Sequence, residues 1–267
     1  MRKALLGLIV LLGVSACSSG MFSSASAPKP AEEEVDSRRP TPPRDNRTRA
    51  KLHTDLGSLY LQNTNYSVAL EELTMAVVID PDYAKAYGIR GLVLYNIREM
   101  DLADRDFQRA LSIDGKDPEL NNNYGWFLCQ VGREKEALPY LQQAMQNALY
   151  DTPERAYLNA GACYIKLGDL ATAEGLIEHS LRIVPNNPQA LLQLADINYR
   201  RGELERASQD LNALVRKVAP SAEALWLLVR VERKLGNRLA EGRYSAQLRQ
   251  KFPLSPEAQE LLKGNFE

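Results

Sequence analysis

Three columns of small residues recur at one spacing in this chain. Gly57, Gly91 and Gly125 lie 34 apart, as do Ala69, Ala103 and Ala137, and likewise Ala76, Ala110 and Ala144. One period shared by three columns marks a chain built by stacking a supersecondary unit that cannot bury its apolar face alone. Small residues at fixed places are what helices need in order to cross at short range. No strand signal appears anywhere in the chain, so the stacked units read as helical.

The period and pattern resemble the tetratricopeptide repeat, a helix A, a turn and a helix B, so the expected fold is an all-α, right-handed superhelix of about six repeats over 47–255. In that repeat's numbering, with Gly57 at position 8, Ala69 stands at 20, Leu73 at 24, Ala76 at 27 and Pro81 at 32. The resemblance implies that positions 8 and 20 meet where A crosses B, and position 27 where B meets the next A. Proline at 32 cannot continue the hydrogen-bond ladder of helix B. Repeat two begins at 84 and repeat three at 118. Two extra residues near Tyr150-Asp151 put repeat four at 154, followed by repeat five at 188 and repeat six at 222. Repeat six is degenerate, with Val229 and Glu241 where small residues belong. Asp117-Pro118-Glu119, Thr152-Pro153-Glu154 and Ser255-Pro256-Glu257 each read as a helix cap, a first-turn proline and an acid near the positive helix end. The last opens a short capping helix within 256–267.

In such a solenoid helix A lines the concave face through positions 2, 5, 9, 12 and 13. Positions 5, 9 and 12 share one helical stripe. That stripe carries Leu61, Leu92, Tyr95, Asn122, Trp126, Ile165 and Tyr199, which together predict a groove for an extended or helical polypeptide. Tyr95, Trp126 and Tyr199 are of the types that anchor interfaces. Each could instead pack within the superhelix, as aromatic residues at helical spacing often do.

The start of the chain predicts where this scaffold works. Arg2 and Lys3 precede an uncharged apolar stretch, Ala4 to Val14, whose helical length of about 16 Å is half a bilayer core. It has the form of a secretory signal over 1–16. Val14-Ser15-Ala16-Cys17 resembles the bacterial lipobox, which implies cleavage before Cys17 and acylation of that residue. Two or three acyl chains at about 0.8 kcal/mol per buried methylene would anchor the chain stably. The other readings are an ordinary signal with a chance cysteine, or a cytosolic apolar start. Ser18 follows Cys17; in the sorting pattern of enteric lipoproteins, which this resembles, that favours the outer membrane, with the repeats facing the periplasm. Residues 17–46 hold five prolines and almost no apolar periodicity, so they read as a disordered tether.

Charge and composition narrow the partners. The chain has 33 basic and 34 acidic side chains, and losing 1–16 leaves 31 against 34, which gives no basic excess for nucleic acid. His53, His179 and three scattered cysteines have no metal-ligand spacing. No phosphate loop, carboxylate pair or serine elbow is present, and no nucleophile–base–orienter set joins the cysteines to the histidines. The reading is a non-enzyme with no cofactor, no metal and no small-molecule substrate. Cys129 and Cys163 fall at positions 12 and 10 of neighbouring A helices, which points them to different faces. A disulfide has to be considered in a secreted chain, but two partly buried free thiols are expected.

"LNNNYGWFLCQVGREKEAL" (Leu120 to Leu138) and "ALYDTPERAYLNAGACYIKLGD" (Ala148 to Asp169) resemble the corresponding stretches of the PilF/PilW family. The resemblance covers about residues 47–255 and is most specific at Asn123-Tyr124-Gly125 and Pro153-Glu154-Arg155. It implies an outer-membrane, pilotin-type lipoprotein with the type IV pilus secretin as partner. Such a protein would promote the secretin's outer-membrane localisation and multimerisation, and thereby pilus assembly and twitching motility. The competing expectation is a lipoprotein adaptor for outer-membrane protein insertion or for peptidoglycan enzymes.

Overall fold

Thirteen α-helices and no strand run through residues 45–266, the part of the chain that the computed structural model describes. The expected signal at 1–16, Cys17 and nearly all of the expected tether lie outside the described residues. The A helices are α1 (Asn46–Gln62), α3 (Ala84–Asn96), α5 (Pro118–Gln130), α7 (Pro153–Leu167), α9 (Pro188–Arg200) and α11 (Ala222–Lys234). The B helices are α2 (Tyr66–Ile79), α4 (Met100–Ile113), α6 (Glu134–Gln146), α8 (Leu170–Ile183), α10 (Leu204–Lys217) and α12 (Arg238–Lys251), and α13 (Pro256–Lys263) follows. Each helix packs on the next. Every A helix also brings its backbone close to that of the following A helix, whereas no two of the six B helices do so. Rods in contact on one side and splayed on the other must curve, so the A helices form the concave face.

The small-residue columns act as expected in kind, with one change of partner. A Cβ built on Gly57 would lie 2.5 Å from Leu73 Cγ, one on Gly125 2.6 Å from Leu141 Cγ, and one on Gly161 2.6 Å from Ile177 Cγ1. The side chain that fills the space above position 8 therefore belongs to position 24. The backbone at position 20 lies further back, with Ala137 O at 3.2 Å and Ala173 O at 3.4 Å. Repeat six exchanges this pair. Val229 stands fully buried at position 8, and Ser245 takes position 24, where the other repeats carry Leu73, Phe107, Leu141, Ile177 and Leu211. Glu241, at position 20, takes ion pairs from Arg233 (2.7 Å) and Arg238 (3.0 Å). Burial pushes its carboxyl up, but those two hydrogen bonds outweigh burial and hold it below the usual range. Repeat six is thus packed by a different distribution of volume.

The turn from A to B supplies a further column. Position 15 has positive φ in all six repeats: Thr64 (57°), Arg98 (70°), Gly132 (81°), Gly168 (82°), Gly202 (80°) and Gly236 (74°). Four repeats use the residue that adopts this conformation without steric cost, and the first two do not. Capping follows the sequence at two of the three expected sites. Asp117 accepts from Glu119 N and Leu120 N, and Ser255 accepts from Ala258 N. Thr152 makes no such bond, although Pro153 does open α7. Thr152 lies where two extra residues lengthen the link from α6, and its backbone (φ −130°, ψ 57°) is off the extended form of the capped starts.

Candidate functional site

The concave face carries a pocket of about 230 Å³ between α3, α5 and α7. Its apolar lining is Leu92, Trp126 and Leu158, and its polar lining is Asn122, Asn123, Asn159 and Arg155. Trp126 is held from behind by Tyr95, edge-on at 4.9 Å between ring centroids, and Tyr95 meets Phe127 at 6.1 Å. An edge-to-face pair of this kind adds about 0.5–1.5 kcal/mol beyond area burial. Asn159 Nδ2 donates to Asn122 Oδ1 (2.9 Å), and Asn122 Nδ2 donates to Asn123 Oδ1 (3.3 Å), so the amides form a row across two A helices. Asn122 and Asn123 are themselves buried, at 1% and 5% exposure, so the amide that the pocket can offer a polypeptide main chain is that of the half-buried Asn159.

The wall between α5 and α7 is cross-linked. Cys129 and Cys163 form a disulfide with their Cα atoms 5.7 Å apart, and both are fully buried. This corrects the expectation of free thiols pointing to different faces. Neighbouring A helices present different faces to one another, so residues that meet need not share a repeat position. Position 12 meets 10 at the disulfide, and position 5 meets 6 at Asn122 and Asn159. Position 13 meets 12 where Lys166 Nζ donates to Cys129 O at 2.7 Å. Burial lowers the pKa of that lysine. The bonded sulfurs also leave neither of these cysteines as a nucleophile. His179 stacks on Tyr157 with centroids 4.0 Å apart, and His53 Nδ1 lies 2.7 Å from Glu72.

The Asn-Tyr-Gly run at 123–125 serves three purposes in three residues. Asn123 lines the pocket and Gly125 lets α5 cross α6. The Tyr124 hydroxyl donates to Asp104 (2.8 Å), which also receives Arg133 Nη1 (3.2 Å). Burial, then the bond to Asp104, pushes the Tyr124 phenol up to about 12, so it stays a neutral donor. Arg133 is further clamped by Glu136 (2.7 Å), which with Asp104 raises its pKa. This network ties α4 of repeat two to α5 and α6 of repeat three.

Of the residues expected in the groove, Leu92, Asn122 and Trp126 line one pocket, and Tyr95 buttresses it. Leu61 is half-buried against Ala69, Leu73 and Val93 of the first two repeats, away from that pocket. Ile165 is buried in a cluster with Ala173 and Ile177, so it offers a partner almost no surface. Tyr199 is 4% exposed, its ring covered by Arg230 (4.6 Å) and Lys234 (4.3 Å). The structure adds Asn123, Asn159 and Arg155. Arg155 sits at position 2, a column named for the concave face, whereas the two asparagines occupy position 6, which lies off the 5-9-12 stripe.

Comparison with known proteins agrees with the helical-repeat fold. A tetratricopeptide-repeat family model matches residues 87–220, and a second matches 54–118. The type IV pilus assembly protein PilF of Pseudomonas aeruginosa is 32% identical over 209 residues, which is 78% of this chain and 83% of PilF. The crystal structure of PilW, a widely conserved type IV pilus biogenesis factor, superposes with a TM-score of 0.70 at 33% identity, covering 80% of this chain and 98% of PilW. The Pseudomonas aeruginosa PilF structure gives 0.65 at 30% identity, covering 82% and 99%. The chain is a tetratricopeptide-repeat scaffold, a protein-interaction fold. It belongs to the PilF/PilW family of type IV pilus biogenesis proteins.

Proposed function

We propose that this chain is an outer-membrane lipoprotein, anchored through Cys17, whose concave groove holds a segment of the type IV pilus secretin while its subunits associate. The observation that carries the reading is the pocket of Leu92, Trp126 and Leu158 with its amide row, on a scaffold whose family serves pilus biogenesis. Apolar anchors supply affinity for an extended segment, and the half-buried Asn159 offers its main chain a hydrogen-bonding partner. The cross-linked wall between α5 and α7 holds the pocket in shape before the partner arrives, which lowers the ordering cost of binding. The lipid end keeps the groove at the membrane where the secretin must insert, and pilus assembly and twitching motility depend on that step.

The test replaces Leu92 by Ser and Trp126 by Gln in the full chain. Expected is a loss of most secretin multimer from outer-membrane fractions, with the helical circular dichroism spectrum retained. Unchanged multimer levels in a well-folded variant would remove the groove from the mechanism. A Cys17→Ser chain that still fractionates with the outer membrane would remove the anchor.

A further inference from the structure

The groove positions recur at the far end of the solenoid with a different charge. A second concave pocket of about 220 Å³ lies between α9, α11 and α13, lined by Leu192, Gln193, Asp196, Trp226, Leu227 and Arg230. Glu223 and Glu257 also line it. These residues stand at positions 2, 5, 6 and 9 of their units, the same positions that build the pocket of repeats two to four. Position 2 supplies Arg155 to that first pocket and Glu223 and Glu257 to this one.

Four observations define what the second pocket would accept. Its floor is apolar and aromatic, with Leu192, Leu227 and Trp226. Asp196 is paired with Arg200 at 2.7 Å, but among the described residues no side chain makes a hydrogen bond or ion pair with Glu223 or Glu257. Gln193 Oε1 is buried with no hydrogen-bond partner, so it gains a donor only if that side chain turns toward the pocket mouth. Finally, the stripe beside the pocket already holds a piece of polypeptide. The ring of Phe266 stacks on Trp226 (5.5 Å, 30°) under Arg233 (3.9 Å), and its carbonyl accepts from Arg230 Nε (3.3 Å). Arg230 meets only that carbonyl and the Tyr199 ring and keeps its charge, but the lining sets three carboxylates, Asp196, Glu223 and Glu257, against this one guanidinium, so the pocket is negative overall.

We infer that the pocket of repeats five and six binds an arginine or lysine side chain of a polypeptide lying along the concave face. The aliphatic stem rests on Trp226 and Leu192, and the cationic head faces Glu223 and Glu257. The inference rests on the concave face being a polypeptide groove, and it adds the chemistry of the partner at one end.

The chain's two tryptophans, Trp126 and Trp226, allow the ends to be read separately. In a Trp126→Phe chain, the remaining fluorescence reports the second pocket. The probes are acetylated, amidated five-residue peptides carrying arginine, lysine or the neutral isostere citrulline between alanines. Expected is a saturable change with the arginine and lysine peptides at millimolar concentration, at least tenfold weaker with citrulline. Glu223→Gln combined with Glu257→Gln should weaken the arginine peptide about tenfold, worth about 1.4 kcal/mol, and added salt should weaken it as well. Equal binding of citrulline, indifference to the double substitution, or no saturation up to about 10 mM would each overturn the inference. A response seen only at Trp126, in a Trp226→Phe chain, would overturn it while leaving the groove of repeats two to four in place.

Discussion

The middle of the solenoid and its two ends meet the same packing requirement by different means. Repeats three and four carry glycine at position 8, a large aliphatic residue at 24, glycine at the turn and a disulfide between their A helices. Repeats one and two keep the glycine crossing but place Thr64 and Arg98 in the left-handed turn. Repeat six keeps the glycine turn but exchanges volumes at the crossing, Val229 against Ser245. What is kept is a filled space at the crossing and the backbone path at the turn. The identity of any one residue is not. Among the described residues the disulfide belongs to the middle alone, so the cross-link concentrates rigidity beside the first pocket.

The largest expected effect tests that concentration. Replacing Cys129 and Cys163 together by Ala should cost about 3–4 kcal/mol, because the bond closes a loop of 34 residues. Thermal unfolding checks the loss. Hydrogen exchange checks its place, since amides of α5 and α7 should exchange faster while those of α9 and α11 change little. A uniform increase along the solenoid would mean that the middle is not distinguished by its cross-link.

The second effect breaks the crossing at both kinds of repeat. A Cβ at Gly161 would meet Ile177 Cγ1 at 2.6 Å, so Gly161→Val should cost about 1–3 kcal/mol through overpacking. In repeat six the opposite change, Val229→Gly, should cost about 2–3 kcal/mol through a cavity and a helical glycine. Adding Ser245→Leu to it should recover at least about 1 kcal/mol, since the pair would then match the other repeats. A double-mutant cycle by thermal melts reads that coupling. Additive losses would show that Val229 and Ser245 do not share one space.

Most of this architecture was legible as periodicity. The columns at 8, 20 and 27 gave the repeat number, the phase and the all-helical class, because close crossing tolerates few residue types. The first groove pocket was half legible: Leu92, Asn122 and Trp126 fall on the predicted stripe. Ile165 and Tyr199 fall on it too, but their neighbours bury them, and one helix wheel contains no information about the next helix. The disulfide was missed for that same reason. Asn159 and Asn123 were missed because position 6 lies off the stripe and reaches the groove only where successive A helices lean together. The turn column at position 15 escaped because two of its six members are not glycine, although backbone geometry there is shared.

That column yields the smallest effect. Thr64 is β-branched and sits at φ 57°, a region in which a Cβ crowds the following carbonyl at about 1–2 kcal/mol. Thr64→Gly relieves the crowding but enlarges the unfolded ensemble, so the net gain should be below about 1 kcal/mol. The side chain bonds only to the carbonyl of Asn63 and is exposed, so little else is lost. The reciprocal change, Gly132→Thr in repeat three, should cost about 1 kcal/mol or more, since nothing lies within 4 Å of a Cβ there and only the backbone resists. Melting curves for both single variants decide the matter. Opposite signs would mean that the first two repeats carry strain the later four avoid. A loss in both would mean that threonine is favoured at the first turn by its surroundings, and the ends would then differ from the middle in more than the residue placed at position 15.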